Sequence, residues 1–252
     1  MKTKRRYESI LIAGLLLLIS TQDPADAGFR SQLKNAQSSM EVGRIVGRVQ
    51  VAGHFEKPRP LKVYKNRDFC GPQVSNESLL VSRDGGVHNA VVIIPKARDD
   101  KSAILPGSPV LDNRNCAFVP HVQIAPVGSE ILLLNSDPIL HDVHARLGSG
   151  TLFNEGLPTW RQVKKRLART GIVALQCEVL HTWMSAYVVV TASRHFAVTD
   201  EKGDFIIEGV PAGTYEMEVW HEKLGRQVKR VSVREKSTGR IDFVYRLGKT
   251  GT

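Results

Sequence analysis

The sequence holds no G-x-S-x-G and no H-E-x-x-H, and no Ser, His and Asp set that spacing alone picks out. Nothing in it therefore marks a serine hydrolase or a zinc peptidase, and the chain is read as a non-enzyme. It has no low-complexity stretch and no clear internal repeat. After Ser20 no apolar run approaches the roughly 20 residues a spanning helix needs. Aromatic residues make up only 6% of the chain, and no aromatic platform clearly stacks a sugar. Cysteine is scarce, with three residues in 252.

The N-terminus has what the rest lacks. MKTKRRYES is basic, ILIAGLLLLIS is a short apolar run, and TQDPADA ends in Ala25-Asp26-Ala27. This is the layout of a cleaved secretory signal, with cleavage expected after Ala27. A periplasmic or secreted protein with no membrane span after cleavage follows. Residues 1–27 hold four of the 35 Lys/Arg and three of the 25 Asp/Glu, which leaves the remainder at a formal +9. Export argues against nucleic acid as the partner of that charge and leaves an acidic protein as one candidate.

Cys70, Cys116 and Cys177 all follow the signal. An odd number in an oxidising compartment leaves one thiol without an internal mate. Cys70 and Cys116 both sit in turns, RDFCGP and NRNCAF, and are read as a pair. That bridge would contribute on the order of 4 kcal/mol in the chain-entropy picture. Cys177 would stay free, and an exported thiol is protected by metal ligation.

Residues 28–43 are polar and read as a leader. Beyond them short apolar or alternating runs such as RIVGRVQVAG, SEILLLNSD, SAYVVVTAS and TYEMEVWHE are separated by Gly, Pro, Asn and Asp. Many short strands at this spacing mean a mainly β fold, a sandwich or barrel. PTWRQVKKRLART, 158–170, places Trp160, Val163 and Leu167 at helical spacing and is the one helix candidate. A boundary falls near Thr191–His195. The unit after it has about 55 residues, small for an independent core.

CEVLHTWM, 177–184, carries a thiol, an imidazole and a thioether within eight residues. NSDPILHDVH supplies His141 and His144 about 36 residues earlier. A thiolate, two imidazoles and a weak thioether are the donors of a blue-copper site, because thiolate and thioether favour Cu(I) while imidazole suits Cu(II). Such a set carries one electron with little rearrangement. Zinc also takes Cys and His, but Met is a poor zinc ligand.

The order His, Cys, His, Met resembles that of the cupredoxins. FCGP, NCAFVPHV, NSDPILHDVH, LFNEGLP, CEVLHTWMSAYVVV and FAVTDEKGDFIIEGVPAGTY extend the likeness to exported bacterial proteins described as plastocyanin-like or methylamine-utilisation-like. The resemblance implies a cupredoxin-like Greek-key sandwich over 44–191 and a small carboxypeptidase-regulatory-like β-unit over 192–252. It implies a mononuclear, type 1-like copper with His141, Cys177, His181 and Met184 as ligands, and a redox partner protein. Two departures stand out: three residues rather than two separate Cys177 from His181, and Asp142 stands where the family commonly has Asn. That Asn tends to tie the two ligand loops together.

Alternatives remain at several positions. His144 would point to the opposite face of an extended segment from His141. Cys116 and His121, in CAFVPH, form a second Cys-x4-His pattern that lacks a following Met. Cys177, Trp183 and Met184 could be core. His54, His88, His195 and His221 are read as surface, edge or packing residues. Arg161, Lys164, Lys165, Arg166 and Arg169 form a solvated face or a dock for an acidic partner. Two other functions stay open: a periplasmic copper chaperone or store, and a protein- or carbohydrate-binding β module built on the C-terminal unit.

Overall fold

The computed structural model describes residues 42–97 and 107–247. The signal, 1–27, lies outside them, as does the leader 28–43 except for Val42 and Gly43, which open the first strand. Among the described residues the fold is mainly β, with one helix of four residues, Arg67–Cys70, here α1. No helix among them is long and apolar enough to cross a membrane.

The strands form two sandwiches. In the first, one sheet runs Gly150–Leu157, His141–Leu147, Gly171–Gln176, Ser185–Thr191 and Val122–Pro126. The facing sheet runs Gln162–Arg166, Glu130–Asn135, Val110–Arg114 and Ala117–Val119. Between them Leu111, Phe118, Ile131, Leu133 and Leu175 are almost fully buried. EILLLN shows why: in a strand alternate residues share a face, so Ile131 and Leu133 turn inward together.

In the second sandwich Val42–Ala52 is the central strand of one sheet. It pairs with Asp204–Pro211 on one side and with Thr238–Arg240 and Phe243–Arg246 on the other. In the facing sheet Val91–Ile93 lies between Phe196–Val198 and Gly213–His221, and Gly225–Val233 forms the edge. Ile45, Val49, Val92, Met217 and Phe243 fill this core. Val91 and Ile93 point the other way and pack on Val122 and Val189 of the first sandwich. AVVIIP thus reads as a continuous apolar run because both faces of the strand are covered.

This pairing corrects the division expected at 191/192. Val42–Ala52 and Val91–Ile93 precede the first sandwich's strands but belong to the second. The physical reason is size. A unit of about 55 residues makes only a marginal core by itself, and the two borrowed strands supply the centres of its sheets. The EKGDF turn fits against them closely. Gly203 has φ +79, and a Cβ there would stand 2.4 Å from the Val49 carbonyl oxygen.

The helix candidate is also corrected. Gln162–Arg166 is a strand paired with Glu130–Asn135, and Trp160 is 73% exposed with φ 63. Val163 and Lys165 take the inward alternation. The Lys165 ammonium reaches Glu155 at 2.6 Å and lies over the Phe153 ring, so a long stem covers apolar surface where a shorter apolar residue would be expected.

Two outcomes follow. Ile45→Ala should cost about 2–5 kcal/mol in chemical denaturation, although Ile45 precedes the C-terminal unit by some 150 residues in the chain. Burial, opposed by the Glu222 charge, holds the His221 imidazole down at about 4 against an ordinary 6.5. The unfolded chain takes up a proton below about pH 6.5 that the folded chain refuses until about pH 4. Stability should therefore be flat above this window and fall through it, by on the order of 3 kcal/mol. Urea midpoints across that range should fall less steeply for His221→Gln; parallel curves would remove His221 as the cause.

Candidate metal centre

Two strand ends bring the donors together. His141 opens the strand His141–Leu147, and Cys177 follows directly on Gly171–Gln176, the neighbouring strand. The chain then turns back into Ser185–Thr191. The turn closes on itself: the Met184 N–H donates to the His181 carbonyl at 2.8 Å, and the Cys177 N–H to the Met184 carbonyl at 3.3 Å. Leu180 takes a left-handed φ of 69 to make the bend. His141, Cys177, His181 and Met184 are 0, 1, 2 and 2% exposed.

Cys177 Sγ lies 3.9 Å from His141 Nδ1 and 3.7 Å from His181 Nδ1, and the two Nδ1 atoms are 3.0 Å apart. A point in the plane of a triangle with these sides is about 2.1 Å from every corner, close to ordinary metal–nitrogen and metal–sulfur bond lengths. The far nitrogens carry the protons. His141 Nε2–H donates to Asp137 Oδ2 at 3.0 Å, and His181 Nε2–H donates to Asn66 Oδ1 at 2.8 Å. Each hydrogen bond fixes a tautomer with its Nδ1 lone pair free. Two lone pairs and a sulfur thus face one point, and a cation there satisfies all three.

Charge agrees with this. Burial keeps both imidazoles below their ordinary range, with the His141 neighbour adding to the effect at His181. Both are therefore neutral at pH 7, the form in which an imidazole can ligate a metal. Burial, with the Asp142 carboxylate adding to it, pushes the Cys177 thiol up to about 12. The thiolate forms only with a cation beside it, so uptake of a metal ion releases a proton.

Asp142 performs the tie expected of Asn. Its Oδ1 accepts the N–H groups of Glu178 at 2.6 Å and Val179 at 3.0 Å, joining the segment of His141 to that of Cys177. Any acceptor oxygen can do this; the carboxylate adds a negative charge near the sulfur.

The other candidates lie elsewhere. His144 pairs its Nε2 with Thr151 Oγ1 at 2.7 Å and lies 2.8 Å from Glu178 through Nδ1. It is absent from the His141–Cys177–His181 group, the one such cluster among the described residues. His121 joins the two sandwiches, contacting Glu222 through Nε2 and the Ser185 carbonyl through Nδ1 at 3.0 Å. Cys116 is bonded to Cys70, with Cα atoms 5.6 Å apart, and Cys177 is the free cysteine. Asn66 and Asp137 are the residues the sequence reading missed. Asp137 stands four before His141 within NSDPILH. Asn66 has no signal beyond standing four before Cys70.

Residues 184–246 match the carboxypeptidase regulatory-like domain. The match begins at Met184, the last residue of the donor turn, and omits Val42–Ala52 and Val91–Ile93, which complete the second sandwich. Among solved structures the chain is similar to a purple cupredoxin from Nitrosopumilus maritimus, at 21% identity and a TM-score of 0.30 over 33% of this chain and 100% of that one. It is similar to a mutant of amicyanin in its reduced state at 20% identity and 0.30, over 39% of this chain and 97% of that one. A copper-containing nitrite reductase from Thermus scotoductus aligns at 18% identity and 0.31, over 38% of this chain and 25% of that one. No curated protein matches the chain.

Asp142→Asn keeps an acceptor for both amides and removes the charge. It should leave stability nearly unchanged and lower the thiol pKa of the metal-free protein by about one unit, read from the pH dependence of Cys177 alkylation. Asp142→Ala strands two amides and should cost about 1–3 kcal/mol.

Proposed function

We propose that this is an exported mononuclear copper protein that transfers one electron. The carrying observation is the convergence of two tautomer-locked imidazole Nδ1 atoms and one thiol sulfur on a single buried point. Cys177 would hold the ion as thiolate and His141 and His181 as imidazoles. Met184, buried in the same turn, would add its thioether. Copper supplies the Cu(II)/Cu(I) couple, for which this mixture of soft and borderline donors suits both states.

The protein's own part is to hold still. Asp137 and Asn66 fix the rings, Asp142 fixes the two segments, and the surrounding core excludes water. A fixed donor set keeps the rearrangement between oxidation states small. Leu140 and Leu180, beside the two His in sequence, are 51 and 63% exposed, and Tyr64 and Phe69, flanking Asn66, are 75 and 43% exposed. These exposed apolar side chains, close in sequence to the residues of the site, would meet a docking redox partner. Lys164, Arg166 and Arg169 are exposed as well, and would steer an acidic one.

Burial weighs against the chaperone reading. An ion is handed on through a donor the acceptor can reach, and none of these donors is more than 2% exposed. The carbohydrate-binding reading gains no aromatic platform, because Trp220 of the C-terminal unit packs edge-on against Tyr187 at 5.4 Å.

The test is the visible and electron paramagnetic resonance spectrum of the protein with one equivalent of Cu(II), beside Cys177→Ser. An intense thiolate-to-copper band with a narrow copper hyperfine splitting, both lost in the variant, is expected. A colourless protein that retains only Cu(I) would replace electron transfer with copper handling. Binding of neither ion would end the copper reading.

A further inference from the structure

The Cys70–Cys116 disulfide lies outside the donor turn, yet contacts from its two halves lead to both imidazoles. On one side Cys70 ends α1, whose amides at Phe69 and Cys70 donate to the Asn66 carbonyl at 3.1 and 2.8 Å. Asn66 is left-handed at φ 55, and its side chain meets His181 Nε2 across 115 residues of sequence. On the other side Asn115 and Cys116 are both left-handed, at φ 54 and 57. That pair of conformations aims both amides at one carboxylate: Asn115 N–H meets Asp137 Oδ1 at 2.7 Å and Cys116 N–H meets Oδ2 at 2.8 Å. The same Oδ2 accepts His141 Nε2–H. The Cys116 carbonyl also accepts Trp183 Nε1–H at 3.0 Å, and the Trp183 ring lies against His181 with centroids 5.1 Å apart.

Left-handed positions outside glycine persist where neighbours over-determine them. Here three such residues, Asn66, Asn115 and Cys116, lie at one disulfide and orient acceptors onto two rings. The segment bearing Asn66 has little else to hold it. Its short strands, Leu61–Lys62 and Gln73–Val74, pair only with each other among the described residues, and its apolar anchors on the core are Leu61, Val63 and Val74.

We propose that the Cys70–Cys116 disulfide is the lock of the metal centre, and that Asn66 is the positioning residue through which it holds His181. This rests on the metal-site reading above and deepens it. Asn66 also stands over the His181 edge, so the locked loop makes that ligand inaccessible as well as oriented. Opened, the fold keeps both cores but loses the direction of the two rings that lie against the sulfur.

Three variants test this: Cys70→Ser with Cys116→Ser, Asn66→Ala, and Asn66→Asp, which keeps an acceptor oxygen. Two readouts are taken on each, with melting curves to establish folding. One is iodoacetamide alkylation of Cys177 in the metal-free protein; the other is copper release to a chelator. Loss of groups that orient metal ligands commonly weakens retention about 10- to 100-fold. Alkylation and release should both be faster by about ten-fold or more in the double-Ser variant and by a smaller factor in Asn66→Ala, with Asn66→Asp near wild type. A folded double-Ser variant within two-fold of wild type on both readouts would overturn the proposal. If that variant does not fold, the Asn66 pair decides: equal behaviour of Ala and Asp overturns it, and a defect confined to Ala supports it. Should the wild type take up no copper, the function proposed above fails, and the alkylation rates still decide whether the lock exists.

Discussion

The structure's chemistry depends on what stands behind two imidazole rings. A histidine offers one lone pair, and its tautomer decides where that pair points. Asp137 behind His141 and Asn66 behind His181 each take the Nε2 proton, so both lone pairs face the sulfur of Cys177. Without those acceptors the rings could turn, or protonate on the near side, and the convergence would be lost. Burial reinforces the arrangement from another direction, since it keeps both rings neutral and the thiol protonated until a cation arrives.

The fold's contribution is to bring four distant pieces of chain to one end of a sandwich. Strand pairing aligns His141 with Cys177, and a closed turn returns the chain through His181 and Met184. The loop carrying Asn66 and the turn carrying Cys116 arrive from the region before the donor strands and are joined to one another covalently. Strands fix the positions, and the groups that fix the ring orientations come from irregular segments. That division leaves the sharp bends, at Asn66, Asn115, Cys116 and Leu180, to the segments between strands.

How much of this could be read from the residues depends on range. The mainly β character was legible because inward and outward residues alternate locally, as in EILLLN. The grouping of His141, Cys177 and His181 was legible because these residues lie in two short stretches and differ chemically from ordinary core. Val42–Ala52 was misplaced because alternation says that a strand is half buried, never against what. QVKKR was misread because lysine stems cover apolar surface in the structure, so the inward face carries charge in the sequence. Asn66 was invisible: an amide 115 residues from its imidazole has no local pattern to betray it. Asp142 was noticed as a departure, and the structure shows that the role asks only for an acceptor oxygen.

The central strand of the second sandwich has a bearing on how the chain is made. Val42–Ala52 emerges early, but its hydrogen-bonding partners include Phe243–Arg246 at the far end of the described residues, and the Arg48 amide bonds to Asp242, 194 positions later. A strand whose partners stand as many as 194 positions later keeps an alternating apolar face uncovered until that later segment is available. Long-range pairing of this kind is slow and leaves strand edges open to wrong neighbours. The first sandwich can gather its strands from 110–191 in the meantime. The second closes only when Thr238–Arg240 and Phe243–Arg246 reach Val42–Ala52, so its assembly ends on the strand where the described sequence begins.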